Sequence, residues 1–279
     1  PSTGIPTKSE QSDLYHAVFA SHGDTPRAVI ACSDVADAYH ATVEAFNIAE
    51  EFQLPVIVLS DQLIAQRRET IDAQELTHET RERRTALPHN LEDYRRYADT
   101  RDGVSPMSHP GTAGGMYQTN GLEHDERGRP SASHVVHEQM NAKRYRKMDA
   151  IAEKYPLFRR WGAPKPTLGI ICWGSSEGTV REAMERLGDP TVAGFVPRMI
   201  MPLPARELQQ FVNDCDQILI IELSHSAQFH HYLRTEVDLP RGRTQVHARS
   251  GGKALTVLEV TEAVQRVLAP AAILEEVLA

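Results

Sequence analysis

Cysteine is scarce in this 279-residue chain: Cys32, Cys172 and Cys215 stand far apart, each in or beside an apolar run, and no C-x-x-C spacing occurs. Neither a zinc site nor an iron–sulfur cluster can be built from so few separated thiolates. Buried free thiols in a reducing, cytoplasmic setting are the expectation. Long apolar runs are missing as well; none reaches the roughly 18 residues that a membrane-spanning helix needs. Excess positive charge is also lacking, since formal net charge is −8, and acidic chains bind phosphate backbones poorly. Neither membrane nor nucleic acid is therefore expected as a partner. The one basic run, Lys143-Arg144-Tyr145-Arg146-Lys147, reads as one face of a charged helix. A starting Met is absent, and the chain opens inside a loop with no strand before it, so one piece or product of a longer polypeptide is expected.

What is present is a soluble, globular composition, 41% hydrophobic and 24% charged, in a chain long enough that two domains are the natural division. Its first line, Pro1-Ser2-Thr3-Gly4-Ile5-Pro6-Thr7-Lys8, is the stretch with most chemistry. Pro1 and Pro6 fix φ and Gly4 permits a positive φ, giving a stiff loop. That loop carries the hydroxyls of Ser2, Thr3 and Thr7 and the cation of Lys8. Ser9 is placed to cap a helix beginning near Leu14. Short hydroxyls at a helix N-terminus suit a carboxylate or phosphate; ordinary turn chemistry is the competing account.

Along the chain, Arg27 to Ser33 reads as a buried strand and Asp34 as the cap of a helix. That helix carries Val35, Ala38, Tyr39, Thr42, Phe46, Ala49 and Phe52 on one face. Val56 to Asp61 is a second buried strand, which makes a βαβ unit with a parallel sheet. A further helix is expected from Gln62 into the Glu/Arg-rich stretch. From about Thr70 to Pro130 the periodicity fails, and so long a connection is usually functional or clamped by a partner; it is expected to lie on a neighbouring subunit. Gly121 to Glu126 (GLEHDE) sets a His among carboxylates near His134 and His137, but without a recurring ligand spacing it reads as an interface loop rather than a metal site. A polar helix spans Ser133 to Tyr155, and Pro164 to Pro166 marks a boundary.

Beyond it, strand and helix alternate again. Thr167 to Trp173 is a strand, followed by the turn Gly174-Ser175-Ser176-Glu177-Gly178 and a helix from Thr179. Such a turn can cradle phosphate, yet it lacks the Lys of a P-loop and the third Gly of a dinucleotide fingerprint, so a capped turn is the better reading. Gln217 to Leu223 is a core strand, Ser224 to Val237 a helix, and Leu255 to Val260 the closing strand. Glu222, His225 and Gln228 lie at a strand's carboxyl end, the usual ligand side of an open α/β sheet; packing and interface roles are preferred for them.

PSTGIPTKSEQSDL resembles the PSTG-x-PT-K/R-x-EQ-x-DL segment of the α subunit of 2-oxoacid:ferredoxin oxidoreductases, particularly the 2-oxoglutarate branch. The likeness continues through His22 to Arg27, Glu44 to Glu50, Pro55 to Asp61, Gly121 to Glu126 and Trp173 to Gly178, in the family's order. The resemblance implies two open, mostly parallel α/β sheets flanked by helices. Residues 1–105 would be the later part of a thiamine diphosphate-type pyrimidine-binding domain, 106–165 an extended interface loop and connecting helix, and 166–279 a transketolase C-terminal-like domain.

It implies oxidative decarboxylation of a 2-oxoacid, most simply 2-oxoglutarate with CoA to succinyl-CoA, with electrons passed to ferredoxin. Thiamine diphosphate with Mg2+ and 4Fe–4S clusters would serve the whole complex, bound mainly by a β subunit. A γ-like domain or subunit, ferredoxin and an α2β2-type assembly are the implied partners. Three family elements would precede Pro1: a YPITP-type loop, the Glu that tautomerises the aminopyrimidine, and an Arg. This chain alone is therefore expected to be inert, with no catalytic residue of its own. Thr7 matches the family's substrate-recognising Thr, Ser2, Thr3 and Gly4 would shape the loop, and Lys8 is a weaker candidate. The Glu222–Gln228 segment resembles an E-L-N-x-x-G/A-Q stretch, but Ser224 stands where Asn is commoner, which puts an amide role there in doubt. Other readings are a noncatalytic assembly module, a pyruvate or branched-chain 2-oxoacid enzyme, and a lipoamide-linked dehydrogenase that shares the fold but not the PSTG-x-PT segment.

Overall fold

The computed structural model describes residues 4–87, 91–155 and 157–269. Pro1, Ser2 and Thr3 lie outside them. Among the described residues, two sheets hold the chain. The first has the order β2-β1-β6, with β1 (Ala28–Ala31) parallel to β2 (Val56–Leu59) and antiparallel to β6 (Met199–Met201). The second has the order β3-β5-β4-β7-β8. In it β4 (Leu168–Ile171), β5 (Val192–Pro197), β7 (Gln217–Glu222) and β8 (Thr244–Ala248) run parallel, and β3 (Phe158–Gly162) closes one edge antiparallel to β5. The mixed α/β class with mostly parallel sheets is thus as the sequence implies.

The first βαβ unit forms for legible reasons. The Asp34 carboxylate accepts the Asp37 N–H and starts α2 (Val35–Phe52), which ends at Gln53 in a left-handed conformation. Its buried face is not the expected one. Asp37, Ala41, Ala45, Ile48 and Phe52 point inward, while Phe46 is 70% exposed. The rotation follows from Asp37, whose charge is satisfied only on the inner side, by Arg159 at 2.8 Å and Arg198 at 2.6 Å. β2 is a half-buried edge strand rather than a core one. The helix expected from Gln62 stops after one turn, as α3 (Gln62–Gln66).

From there to α4 (His134–Lys154) the described chain holds no helix or strand beyond one 3-10 turn at Ala73–Glu75. This strap is tied to the outside of α2 by Arg83–Glu50 (2.8 Å), by Asn47 donating to the Glu79 carbonyl (2.7 Å) and by Arg81 N–H donating back to Asn47 (2.8 Å). α4 packs Met148 and Ile151 into the same core as Ile30, Ile48 and Met199.

In the second sheet α5 (Ser176–Leu187) and α8 (Val257–Leu268) cover one face, and α6 (Ala205–Asp214) and α7 (Gln228–Glu236) the other. The segment expected as a closing strand, Leu255 to Val260, instead starts α8: Thr256 and Glu259 form a capping box, each bonding the other's backbone N–H. The closing strand is β8, whose polar, half-exposed residues hid it. Only Arg198 separates β5 from β6, so one continuous strand path leaves the second sheet and enters the first. Consequently one core joins Val29 and Ala31 of β1 and Leu14 of the short helix α1 (Leu14–Phe19) to Ile171, Phe195, Phe211 and Phe229.

Candidate functional site

The carboxyl ends of β1, β2, β4 and β7 meet along the seam between the sheets, and the N-terminal stretch lies across them. Gln11, buried, is its pin. The Gln11 side-chain amide donates to the Trp173 carbonyl (2.7 Å) and to Ser176 Oγ (3.1 Å), while its Oε1 accepts the Leu223 N–H (2.8 Å). The Gln11 backbone N–H donates to the Leu223 carbonyl at 2.7 Å. Ser9 Oγ accepts the Leu63 N–H (3.0 Å) and Glu10 Oε1 accepts the Gly251 N–H (3.0 Å). Ser9 is therefore tied to α3 and not to α1, where Asp13 holds the first position without a side-chain cap bond.

With its base held so firmly, the arch Gly4–Lys8 stands exposed above the seam. Gly4 has φ +67° and Thr7 φ +54°. For a β-branched residue that region is sterically disfavoured by about 1–3 kcal/mol, and such strain gathers where a side chain must be aimed. The Thr7 hydroxyl thus stands on an exposed arch next to the hydrogen-bonded residues Ser9 to Gln11. Lys8 is exposed too, and its stem rests on Gly252, where any Cβ would meet Lys8 Cβ at 2.5 Å. Ser2 and Thr3 lie outside the described residues.

The other sequence candidates divide plainly. Glu222 is buried and accepts the N–H groups of Phe229 (2.9 Å) and His230 (2.9 Å). Burial pushes its carboxyl upward, opposed by those two amides. It holds the start of α7 in place of a side-chain N-cap, which is why that helix begins at Gln228 rather than Ser224. Gln228 Oε1 accepts the Tyr15 N–H (3.1 Å), His225 is exposed, and Ser224 Oγ accepts the Gln228 N–H (3.2 Å).

In GLEHDE, Glu123 takes Arg144 (2.6 Å) and His137 (2.5 Å), and Glu126 takes Arg95 (2.6 Å) and the Asp99 N–H (2.7 Å). Asp125 accepts two backbone N–H groups, and His124 lies against Tyr97 with ring centroids 4.0 Å apart. The segment is a clasp of ion pairs. Among the described residues no group of three or more His, Cys, Asp or Glu is placed to hold a metal.

The Gly174–Gly178 turn is no phosphate cradle. Ser175 Oγ donates to Asp61, Ser176 Oγ donates to the Trp173 carbonyl (2.8 Å), and Gln11 Nε2 closes over Gly174. The space left between Gln11, Asp61, Trp173 and Ser175 is about 40 Å³, room for little beyond one water. Cys32, Cys172 and Cys215 are buried and unpaired; burial raises all three thiols, Cys215 to about 12. With three buried cysteines standing far apart in the chain, the described residues hold no iron–sulfur ligand set.

Two features escaped the sequence. The first is Gln11, whose side-chain amide offers two donors and an acceptor from one group but whose partners Trp173, Ser176 and Leu223 lie far along the chain. The second is an ionic knot behind the seam: Arg159 bridges Glu177 (2.6 Å) and Asp37, Ser33 Oγ donates to Glu177 (2.5 Å), and Arg198 spans Asp37 and Glu44 (2.8 Å). Its members are dispersed from residue 33 to 198, so no local spacing could announce them.

Residues 1–143 match the family described as "Pyruvate flavodoxin/ferredoxin oxidoreductase, thiamine diP-bdg", and residues 167–260 match "Pyruvate:ferredoxin oxidoreductase core domain II". The alpha subunit of 2-oxoacid:ferredoxin oxidoreductase 2 from Aeropyrum pernix is 34% identical over 278 residues, taking in 96% of this chain and 42% of that protein. The 2-oxoglutarate synthase subunit KorA of Methanothermobacter thermautotrophicus is 28% identical over 266 residues, 88% of this chain and 67% of that protein. Among solved structures, the 2-oxoglutarate:ferredoxin oxidoreductase from Magnetococcus marinus, with 2-oxoglutarate, coenzyme A and succinyl-CoA bound, superposes with a TM-score of 0.88 at 34% identity. That match covers 96% of this chain and 47% of the other. The chain thus spans less than half the length of the Aeropyrum and Magnetococcus proteins, but a family match over more than half of its own length decides its membership. This chain belongs to the family of 2-oxoacid:ferredoxin oxidoreductase alpha subunits.

Proposed function

We propose that this chain supplies the 2-oxoacid-recognising loop of a thiamine diphosphate-dependent 2-oxoacid:ferredoxin oxidoreductase. The substrate proposed is 2-oxoglutarate, converted with CoA to succinyl-CoA and CO2 while two electrons pass to ferredoxin. The carrying observation is Thr7, held exposed at φ +54° by anchors on both sides of the seam. Its hydroxyl donates to the substrate carboxylate, and the pinned base of the arch keeps that donor from wandering. The 2-oxoglutarate-binding relative, alike over 96% of this chain, supports the substrate.

The three buried, separated cysteines supply no cluster ligand set, and the clusters and thiamine diphosphate are assigned mainly to a partner β subunit. The CoA chemistry belongs to the assembled complex, a hetero-oligomer that works where thiols stay reduced.

The test is CoA-dependent reduction of ferredoxin or a viologen by the intact complex, with 2-oxoglutarate, pyruvate and branched 2-oxoacids compared. Thr7→Val should raise KM for the 2-oxoacid about tenfold and leave KM for CoA unchanged, as expected for one hydrogen bond to a charged group. An unchanged KM removes Thr7 from the site; turnover led by pyruvate moves the enzyme to another branch of the family.

A further inference from the structure

At the opposite edge of the first sheet, below the amino ends of β1 and β2, lies a pocket of about 350 Å³ lined by Thr25, Pro26, Gln53, Leu54, Tyr97 and Met140, together with the cations of α4. Its size falls in the usual range for small-molecule sites. Lys143 and Lys147 stand one helical turn apart on the α4 face that lines it. Lys143 is 6% exposed, and among the described residues its ammonium makes no hydrogen bond or ion pair. Lys147 Nζ donates only to the Gln53 carbonyl (3.1 Å). Arg96, also buried, donates to Gln53 Oε1 (2.7 Å), lies over the rings of Tyr97 and Tyr117, and keeps a buried Nε without a partner.

The neighbouring carboxylates are already engaged: Glu123 with Arg144 and His137, Asp99 with Arg146, and Asp102 with Arg84. Two ammonium groups, Lys143 and Lys147, therefore line one pocket with no ion-pair partner of their own among the described residues, with the buried Arg96 close by, in a chain whose formal net charge is −8. A buried charge persists only when paired. Two ammonium groups one turn apart act as point charges, which suits a compact tetrahedral dianion better than a planar carboxylate. Leu54, Pro26, Tyr97 and Met140 add apolar walls for a body attached to it.

We propose that this pocket binds a phosphate group, free or carried on a small organic molecule, between Lys143 and Lys147. The site is separate from the Thr7 arch, at the other end of the β strands, and does not rest on the reading of that arch.

Protonation agrees with the geometry. Burial, then repulsion from Arg96 and Arg144, lowers Lys143 to about 8; burial, then Lys143, Arg96 and Arg144, lowers Lys147 to about 7. Asp99 and Asp102 pull the other way, and Tyr97 and His124 are the remaining titratable groups lining the pocket. A bound dianion raises both lysines, so binding near neutral pH takes up protons.

The test is calorimetric titration of the intact complex with inorganic phosphate and, separately, AMP. Binding is expected for both if the phosphate group is what the lysines hold, and tighter AMP binding would show that the apolar walls receive a body. Lys143→Met should weaken binding by about ten- to a hundredfold, the worth of one charged hydrogen bond. It should not lower the melting temperature of the ligand-free complex, because an uncompensated buried charge has been removed. Should that variant fail to assemble, Lys147→Met makes the same comparison. No binding by the wild type, or equal binding by both variants, overturns the proposal.

Discussion

Glu123 shows how a single side chain fastens the long strap to the body. Burial alone would raise its carboxyl, but hydrogen bonds from Arg144 and then His137 outweigh that and hold it at about 2. The direction fixes the pH dependence. A carboxyl depressed in the folded state contributes its stabilisation in full above the unfolded value, here 4.5, and loses it as pH falls towards about 2. Amide exchange in the strap between pH 5 and pH 2 should therefore accelerate in the wild type. In Glu123→Gln it should start faster and change less across the same window, both limits being approximate and set by the linkage. Parallel curves for the two proteins would deny Glu123 that role. Gln11 works at the same scale without charge: it carries no titration, yet its hydrogen bonds link the carboxyl ends of β4 and β7 to the N-terminal stretch.

Elements whose signal is local and chemically unambiguous could be read from the chain. Asp34 followed by α2, the polar run that becomes α4, and the apolar strands β1, β4 and β7 all emerge where their sequences place them. What failed had its cause elsewhere in the chain. The inward face of α2 is chosen by Asp37, a charge that pattern reading puts outside, because its partners Arg159 and Arg198 lie more than a hundred residues on. β3 and β8 are edge strands with polar, half-exposed residues, and hydrophobicity does not mark such edges. Leu255 to Val260 was ambiguous as a short apolar run, and the Thr256-x-x-Glu259 box was the deciding signal. Thr256→Ala should therefore cost about 1 kcal/mol, read as a lower denaturant midpoint with an unchanged slope. No loss would mean that α8 is held by packing of Val260 and Val264 alone. Of the candidate site, the arch was legible because its Pro, Gly and Thr are contiguous; the anchors beneath it come from four distant segments.

Across the whole molecule, the two sheets are joined by covalent path, core and charge together. β5 passes into β6 through Arg198, and the core between Phe195 and Val29 is continuous. Asp37 lies where these meet, accepting the Ser33 N–H (2.9 Å) and pairing with Arg159 from one sheet's edge and Arg198 from the junction. Removing its charge takes one carboxylate partner from the buried Arg198 and from the partly exposed Arg159, while Glu44 and Glu177 each retain one of them. Asp37→Asn is therefore expected to cost about 3 kcal/mol, the lower end for breaking a buried ion pair. If the seam is one cooperative unit, that loss must be felt in both sheets. Slow amide exchange at Val29 in the first sheet and Ile170 in the second should accelerate by the same factor, about a hundredfold for such a free energy. Acceleration confined to Val29 would mean that the sheets open independently, and that the arch carrying Thr7 is anchored to a hinge instead of a rigid floor.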